Sequence, residues 1–446
     1  MFEILTGVSD MKISFVNQPW TIAAPPKGSD STGIWSYQVS THLPKDWNVT
    51  YYGCEGTIDR TIHTYSSDSF SQIEYKAISN KLDRVIKIPG KIAHKLESNS
   101  GLPYFGSRWF NLGYGWQIAD SAARQNYDVI HIHNFSQFVP LIRAKNPEAK
   151  IVLHLHCEWV NRLPREPIAA RLADADLIIS CSDYITNKIK ERFPNYANIC
   201  GTVNNGVDAN YFAPAFSKRS PSVRDAPQLL FVGRISPEKG IHDLIDAFVK
   251  VVAKHPKAVL TIAGPHIIVS KELLFDLQPE PEVRALEYFY SVDYLEHIKS
   301  KIPKAISSQV IFTGSLPQQE LLPYYQNADL VINPSLSEAF GMSLVEAMAT
   351  ATPVIATDIG GMPEIVEHNR TGLVVQPGNP QALANAISQV ISNPVQARTM
   401  GRAGRKKVLQ HYTWSKITEK LVDCYATMGA EVNKYDNQKA VARSLS

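Results

Sequence analysis

Twelve short apolar runs, six on each side of a linker rich in Pro, Ser and Arg, restrict this chain more than any other feature. The first set lies at residues 12–16, 49–52, 129–133, 151–156, 177–181 and 199–204; the second lies at 229–232, 259–263, 310–313, 330–333, 354–356 and 372–375. Each run has strand length and leads into a loop or a helical pattern, as expected of parallel strands joined by crossover helices. The fold class is therefore α/β, with parallel sheets covered on both faces. A chain of 446 residues is too long for one ordinary core and suits two of about two hundred residues each. We expect domains at 11–206 and 227–412, hinged by the linker that ends near Pro227. Met11 opens the first strand directly, so the ten residues before it read as an extension or a mis-chosen start.

Two loops in the second half carry the chemistry. Residues 333–346 read N-P-S-L-S-E-A-F-G-M-S-L-V-E, where a Phe340-Gly341 turn closes a strand and opens a helix. First-turn N–H groups of such a helix, from Phe340 through Met342 and Ser343, point at any anion above the strand end. Glu346, later on the helix, can take two vicinal hydroxyls, and Glu338 faces another part of the same ligand. An anion cradle beside two hydroxyl acceptors suggests a nucleotide sugar. About a hundred residues upstream, Phe231-Val-Gly-Arg-Ile-Ser-Pro-Glu-Lys-Gly240 places Arg234 and Lys239 between a strand and an amphipathic helix with Ile241, Leu244, Ile245 and Phe248 on one face. A planar guanidinium fork and a mobile ammonium suit a diphosphate.

With these motifs the chain resembles the family 4 retaining glycosyltransferases, which have the GT-B architecture of two facing Rossmann-like domains. Gly-Arg-x4-Lys-Gly at 233–240, Glu-x7-Glu at 338–346 and Gly-Gly-x-Pro-Glu-Ile-Val at 360–366 follow the family's order and approximate spacing. The resemblance implies that Arg234 and Lys239 bind the donor diphosphate, that Glu346 binds ribose and that Glu338 lies against the transferred sugar. It implies further donor contacts at Gly233 and at the strand-end turns Ala263-Gly264 and Thr313-Gly314. It also implies a last helix, at 415–430, that crosses back to pack on the first domain. The stretch between Gly264 and Val310 is long for the family and reads as extra helices or a partner-binding insert.

The first half matches less closely. Where the family carries a Gly-Gly loop after the first strand, this chain has Thr32-Gly33, preceded by Gly28 in a Gly/Pro/Ser-rich loop. Gly33 matches a donor-contacting glycine, whereas the β-branched Thr32 narrows the backbone and crowds a phosphate. His131 and His133 form one pair, and His154 and His156 another, each placed on one strand face by alternation. That geometry permits a metal site, but the resemblance accounts for the same residues without one. His156 matches the family's active-site histidine over the donor sugar, and His133 a recurrent strand-end histidine. Glu158 and Trp159 follow at the expected acceptor cleft, where Trp159 can stack on a sugar or simply pack.

Composition narrows the setting. A formal net charge of +3 without a dense basic stripe gives no argument for nucleic acid. Five cysteines without a C-x-x-C pair suit a reducing compartment. No run has the length of a membrane span, and no basic-then-apolar leader opens the chain. The expected location is the cytoplasm, with the inner membrane face open because a segment including Lys91, Lys95, Tyr104, Phe105, Arg108, Trp109, Phe110 and Trp116 can reach a membrane-bound acceptor or serve as packing.

The function expected is transfer of a hexose from a nucleoside-diphosphate sugar, a UDP-sugar and UDP-glucose first, to a hydroxyl of a saccharide or lipid-linked saccharide. Polysaccharide biosynthesis is the expected setting, with no cofactor or metal. The resemblance implies front-face retention, with Arg234 and Lys239 holding the departing diphosphate. A nucleotide-sugar epimerase of the same fold and a carbohydrate-binding pseudoenzyme remain alternatives. A nicotinamide oxidoreductase is disfavoured, because Gly28-x4-Gly33 is not a G-x-G-x-x-G turn. Neither oligomeric state nor acceptor identity is encoded in a readable motif.

Overall fold

The structure, a computed structural model, describes residues 10–25, 30–56, 73–97, 101–215, 226–275 and 281–428. Gly28, residues 429–430 of the expected last helix and residues 276–280 of the long connection lie outside these. The chain divides into two compact units, one holding residues 10–25, 30–203 and 414–428, the other 204–413.

The first unit is built on seven parallel strands: β1 (Lys12–Val16), β2 (Asn48–Cys54), β3 (Ile73–Ile78), β4 (Val129–His133), β5 (Lys150–Leu155), β6 (Leu177–Ser180) and β7 (Cys200–Thr202). Their order is β3-β2-β1-β4-β5-β6-β7. The central strands are buried on both faces and so read as continuous apolar runs. Strand β3, I-E-Y-K-A-I, is an edge that sequence reading misses, because its exposed Glu74 and half-buried neighbours weaken the apolar signal. Helix α1 (Ser31–His42) begins at Asp30, whose carboxylate accepts the Thr32 N–H. Residues 414–428 form a helix that lays Trp414, Ile417, Leu421 and Tyr425 into the core around Phe15 and Trp35.

The second unit has six parallel strands: β8 (Gln228–Val232), β9 (Val259–Ala263), β10 (Val310–Gly314), β11 (Leu330–Asn333), β12 (Val354–Thr357) and β13 (Gly372–Val375), in the order β10-β9-β8-β11-β12-β13. Ile241, Leu244, Ile245 and Phe248 of helix Ile241–Val252 are fully buried against this sheet. The long connection before β10 adds helices Lys271–Phe275, Pro281–Arg284 and Tyr294–Ser300. Tyr294 and Ile298 join the main core, and Val283 and Leu286 pack with Leu336. In each sheet the strand order reverses once, at β1/β4 and at β8/β11, and open parallel sheets bind ligands beyond the strand ends at that reversal.

Candidate functional site

In the second unit both sequence motifs converge at the β8/β11 reversal, since Gly233 to Gly240 follow β8 and Pro334 to Gly341 follow β11. The approach is close enough to dictate glycine. A Cβ on Gly240 would lie 2.1 Å from the Pro334 carbonyl, and one on Gly360 would lie 1.7 Å from that of Glu338. The backbone N–H groups of Leu336 and Ser337 also bond to the Glu238 carbonyl at 2.8 and 3.3 Å. Gly233 and Gly264 sit at neighbouring strand ends, bonded through their N–H groups to the Ala263 and Gly314 carbonyls at 2.9 Å each.

The side chains form an ionic cluster. Lys239 Nζ donates to Glu338 Oε2 at 2.7 Å, and Arg234 donates to Glu238 Oε1 at 3.1 Å. Burial alone would raise the pKa of Glu338, but the Lys239 cation and its hydrogen bond, the Phe340 N–H and the Arg234 charge outweigh it and hold the carboxyl below its usual range. The Arg234 side chain stays 41% exposed, and the Lys239 ammonium has three hydrogens, only one of which the Glu338 bond uses. The cluster can therefore still offer donors to a diphosphate.

Three details differ from the expectation. The helix that follows is Met342–Ala349, with Gly341 as its left-handed cap, so Met342 and Ser343 open it. The Phe340 N–H is engaged by the Glu338 carboxylate instead of facing an anion, and the Phe340 ring is buried against Tyr412. Glu346 is buried, and its two oxygens accept from Gln318 Nε2 at 2.7 Å and the Tyr325 hydroxyl at 2.6 Å. Burial raises the pKa of Glu346, partly offset by those two bonds. Each carboxylate oxygen retains a second lone pair for a hydroxyl donor. Sequence reasoning missed Gln318, Tyr325 and Glu238. Only Glu238, inside the Arg234–Lys239 motif, had a sequence signal.

In the first unit His133 ends β4, and His156 follows β5, one residue beyond the strand as built. Asn134, with φ 60°, accepts the His156 N–H on its Oδ1 at 2.7 Å. The rings form a chain: His156 Nε2 to His133 Nδ1 at 2.9 Å, and His133 Nε2 to Ser36 Oγ at 2.8 Å. Ser36 has one hydrogen and faces two acceptors, Asn17 Oδ1 at 2.7 Å and the Thr32 carbonyl at 3.0 Å. Its contact with His133 is then satisfied by an Nε2–H donor, which makes His133 Nδ1 the acceptor and His156 Nε2 the donor. Beneath them His131 bonds Tyr425 at 2.6 Å and His154 at 3.1 Å. Burial holds His131, His133 and His154 well below the usual histidine pKa, with neighbouring histidines adding to the effect. These three offer ring nitrogens within 4.8 Å of one another, the one such group of potential metal ligands among the described residues.

The remaining first-unit candidates are accounted for by packing and pairing. A Cβ on Gly33 would lie 3.0 Å from both Thr21 Cγ2 and the Tyr51 hydroxyl, so the glycine lets α1 close on its neighbours. Glu158 accepts from Tyr184 at 3.0 Å and from Arg162 and Lys188 at 3.1 Å each. Burial opposes its ionisation, but the two cations keep its pKa low. The Trp159 ring lies against Phe105 and Phe135, with centroids 5.8 and 6.1 Å away. Glu158 and Trp159 are thus held by their own unit.

A family model described as glycosyl transferases group 1 matches residues 213–407, and one described as Glycosyltransferase Family 4 matches residues 62–211. The chain is 30% identical over 311 residues to a glycogen synthase of Mycobacterium tuberculosis, covering 67% of this chain and 68% of the relative. It is 27% identical over 424 residues to the lipopolysaccharide 1,2-N-acetylglucosaminetransferase of Salmonella typhimurium, covering 92% and 96%. Among solved structures, Anabaena HepE in complex with UDP-glucose aligns with a TM-score of 0.64 at 19% identity, covering 94% of this chain and all of the other.

Proposed function

Since the chain belongs to the group 1 glycosyltransferases and has their GT-B fold, we propose that it transfers a hexose from a UDP-sugar, UDP-glucose first, to a hydroxyl of a saccharide or glycolipid acceptor. The transfer retains anomeric configuration, needs no metal and serves polysaccharide assembly. The observation that carries this reading is the ionic cluster of Arg234, Lys239 and Glu338 at the β8/β11 reversal, with Glu346 on the helix that follows. Breaking the bond between the anomeric carbon and the β-phosphate oxygen builds negative charge on the diphosphate. Arg234 and Lys239 stabilise it, each contributing a few kcal/mol as a fixed electrostatic partner. Glu338, already ionised, orients sugar hydroxyls, and Glu346 accepts from the ribose.

In this reading His133 positions and His156 acts. The Ser36–His133–His156 chain has His156 donate through Nε2, which orients its ring to meet a sugar hydroxyl. The UDP-glucose complex of HepE makes uridine diphosphate the first nucleotide to try, and the lipopolysaccharide-modifying relative makes a glycolipid the first acceptor.

The test is calorimetric titration of UDP, GDP and ADP, with a chelator present, into the wild type and Glu346→Ala. Tight binding of UDP that weakens in the variant is the expected result. No binding of any nucleotide would overturn the site assignment and favour a carbohydrate-binding pseudoenzyme. With UDP-glucose alone, appearance of a second nucleotide sugar would favour an epimerase.

A further inference from the structure

Helix α2 (Lys81–Glu97) turns its apolar side away from the unit it belongs to. Val85, Ile88, Ile92 and Leu96 are 72%, 70%, 59% and 84% exposed, and Leu82 at 38% extends the row. At 3.6 residues per turn these five occupy about one third of the helix circumference. Arg84, Lys87, Lys91 and Lys95 line the adjoining sector, all exposed, with Lys81 at the helix start. An ordinary surface helix of a globular unit has the opposite arrangement.

The inward side explains why the helix cannot roll over. The Asp83 carboxylate accepts the Gly113 and Tyr114 N–H groups at 2.7 and 2.8 Å, at the start of α3 (Leu112–Ala123). Buried Gly90 allows close approach, since a Cβ there would lie 3.3 Å from Trp109 Cβ. At the far end Glu97 accepts from Trp109 Nε1 at 3.1 Å and from Arg108 at 2.5 Å. Both carboxylates of the helix are thus used for anchoring. Five cations against two carboxylates give α2 a formal charge of +3, equal to that of the whole chain.

We propose that α2 is a docking helix for an anionic lipid bilayer, with the row from Val85 to Leu96 entering the headgroup boundary and the flanking lysines meeting lipid phosphates. An apolar ridge bordered by cations fits that surface chemically. A second copy of the chain fits poorly, because two helices of like charge would meet. The inference goes beyond the proposed reaction and does not rest on it, since neither donor nor acceptor takes part. It also shifts the membrane expectation from the aromatics to the aliphatic row. Tyr104, Phe105, Trp109 and Phe110 are half-buried in their own unit, and Trp116, though 46% exposed, lies under the Lys145 ammonium.

The test is flotation of the full chain with vesicles of equimolar phosphatidylglycerol and phosphatidylcholine, and with pure phosphatidylcholine. Variants are Ile88→Gln/Ile92→Gln/Leu96→Gln and Arg84→Gln/Lys87→Gln/Lys95→Gln, checked for an unchanged melting curve and UDP affinity. Expected is binding to the anionic vesicles that weakens with salt, falls about tenfold or more in the aliphatic variant and about fivefold per removed cation in the other. Absence of binding to anionic vesicles, or equal binding by the variants, would overturn the proposal. So would sedimentation velocity showing a wild-type dimer that the aliphatic variant dissociates, which would assign the face to a second copy.

Discussion

At the β8/β11 reversal the polar residues are charged and paired, Lys239 with Glu338 and Arg234 with Glu238. At the matching place in the other sheet, beyond β1 and β4, they share hydrogen bonds in a row, Ser36, His133 and His156, with His133 held uncharged by burial. Under the proposed reaction the difference is one of task. A fixed diphosphate charge is best met by fixed opposite charges, whose mutual pairing keeps them in place. A hydroxyl that must gain or lose a proton is better met by groups that hold a tautomer without holding a charge. The two centres therefore respond differently to mutation and to pH.

The largest effect is expected on the charged side. Lys239→Met removes a cation from the diphosphate and should lower kcat by about 10²–10³-fold. It also removes the main influence that keeps the buried Glu338 ionised, so the acidic limb of the pH–rate profile should move upward. Steady-state kinetics across pH would measure both. A loss below tenfold, with an unmoved acidic limb, would break the contrast by showing that fixed charge matters little there.

A smaller effect is expected from acid. His131, His133 and His154 are held neutral by burial, so their folded pKa values lie below the unfolded value of about 6.5. In that direction the unfolded chain binds more protons, and stability rises with pH across the window. The stabilisation is complete above about pH 6.5 and is lost as pH falls towards the folded values. In the second unit His242 and His255 carry the same sign: burial first and Lys301 next depress His242 to about 4, and burial first and Lys254 next lower the more exposed His255. Melting curves at pH 7.5 and 5.5, read by a probe in each unit, should show the first unit losing more. Tyr425→Phe, which leaves His131 Nδ1 without its 2.6 Å partner, should cost a further 1–3 kcal/mol or so. Equal losses in the two units would remove the histidine side of the comparison.

The same contrast decides what could be read from the sequence. Twelve of the thirteen strands were legible as apolar runs, because central parallel strands are buried on both faces. The charged centre was legible because it needs cations, carboxylates and glycines at fixed spacing, with Gly240 and Gly360 enforced by backbone carbonyls. The partners of Glu346 were not, since Gln318 and Tyr325 come from a separate segment and carry no local pattern. In the first unit α1 buries Ser36 and Ser40, so apolar periodicity gives no sign of which face is inward. The histidine pairs were visible as alternation, but their bonds to Ser36 and Tyr425 join positions 97 and 294 residues apart. The outward row on α2 shows the reverse case, since periodicity reveals a ridge without saying which way it faces.

The smallest effect tests whether Glu158 belongs to the chemistry of the first unit. Glu158 bonds Tyr184, Arg162 and Lys188, which is how a carboxylate behaves when it joins elements instead of meeting substrate. Glu158→Gln keeps the shape and removes the negative charge that Arg162 and Lys188 share. It should lower stability by about 1–3 kcal/mol and leave the acceptor KM within about twofold. Thermal melts and acceptor kinetics separate the outcomes. A tenfold rise in KM with an unchanged melting temperature would place Glu158 on the acceptor, and the first unit would then share the second unit's use of paired charge.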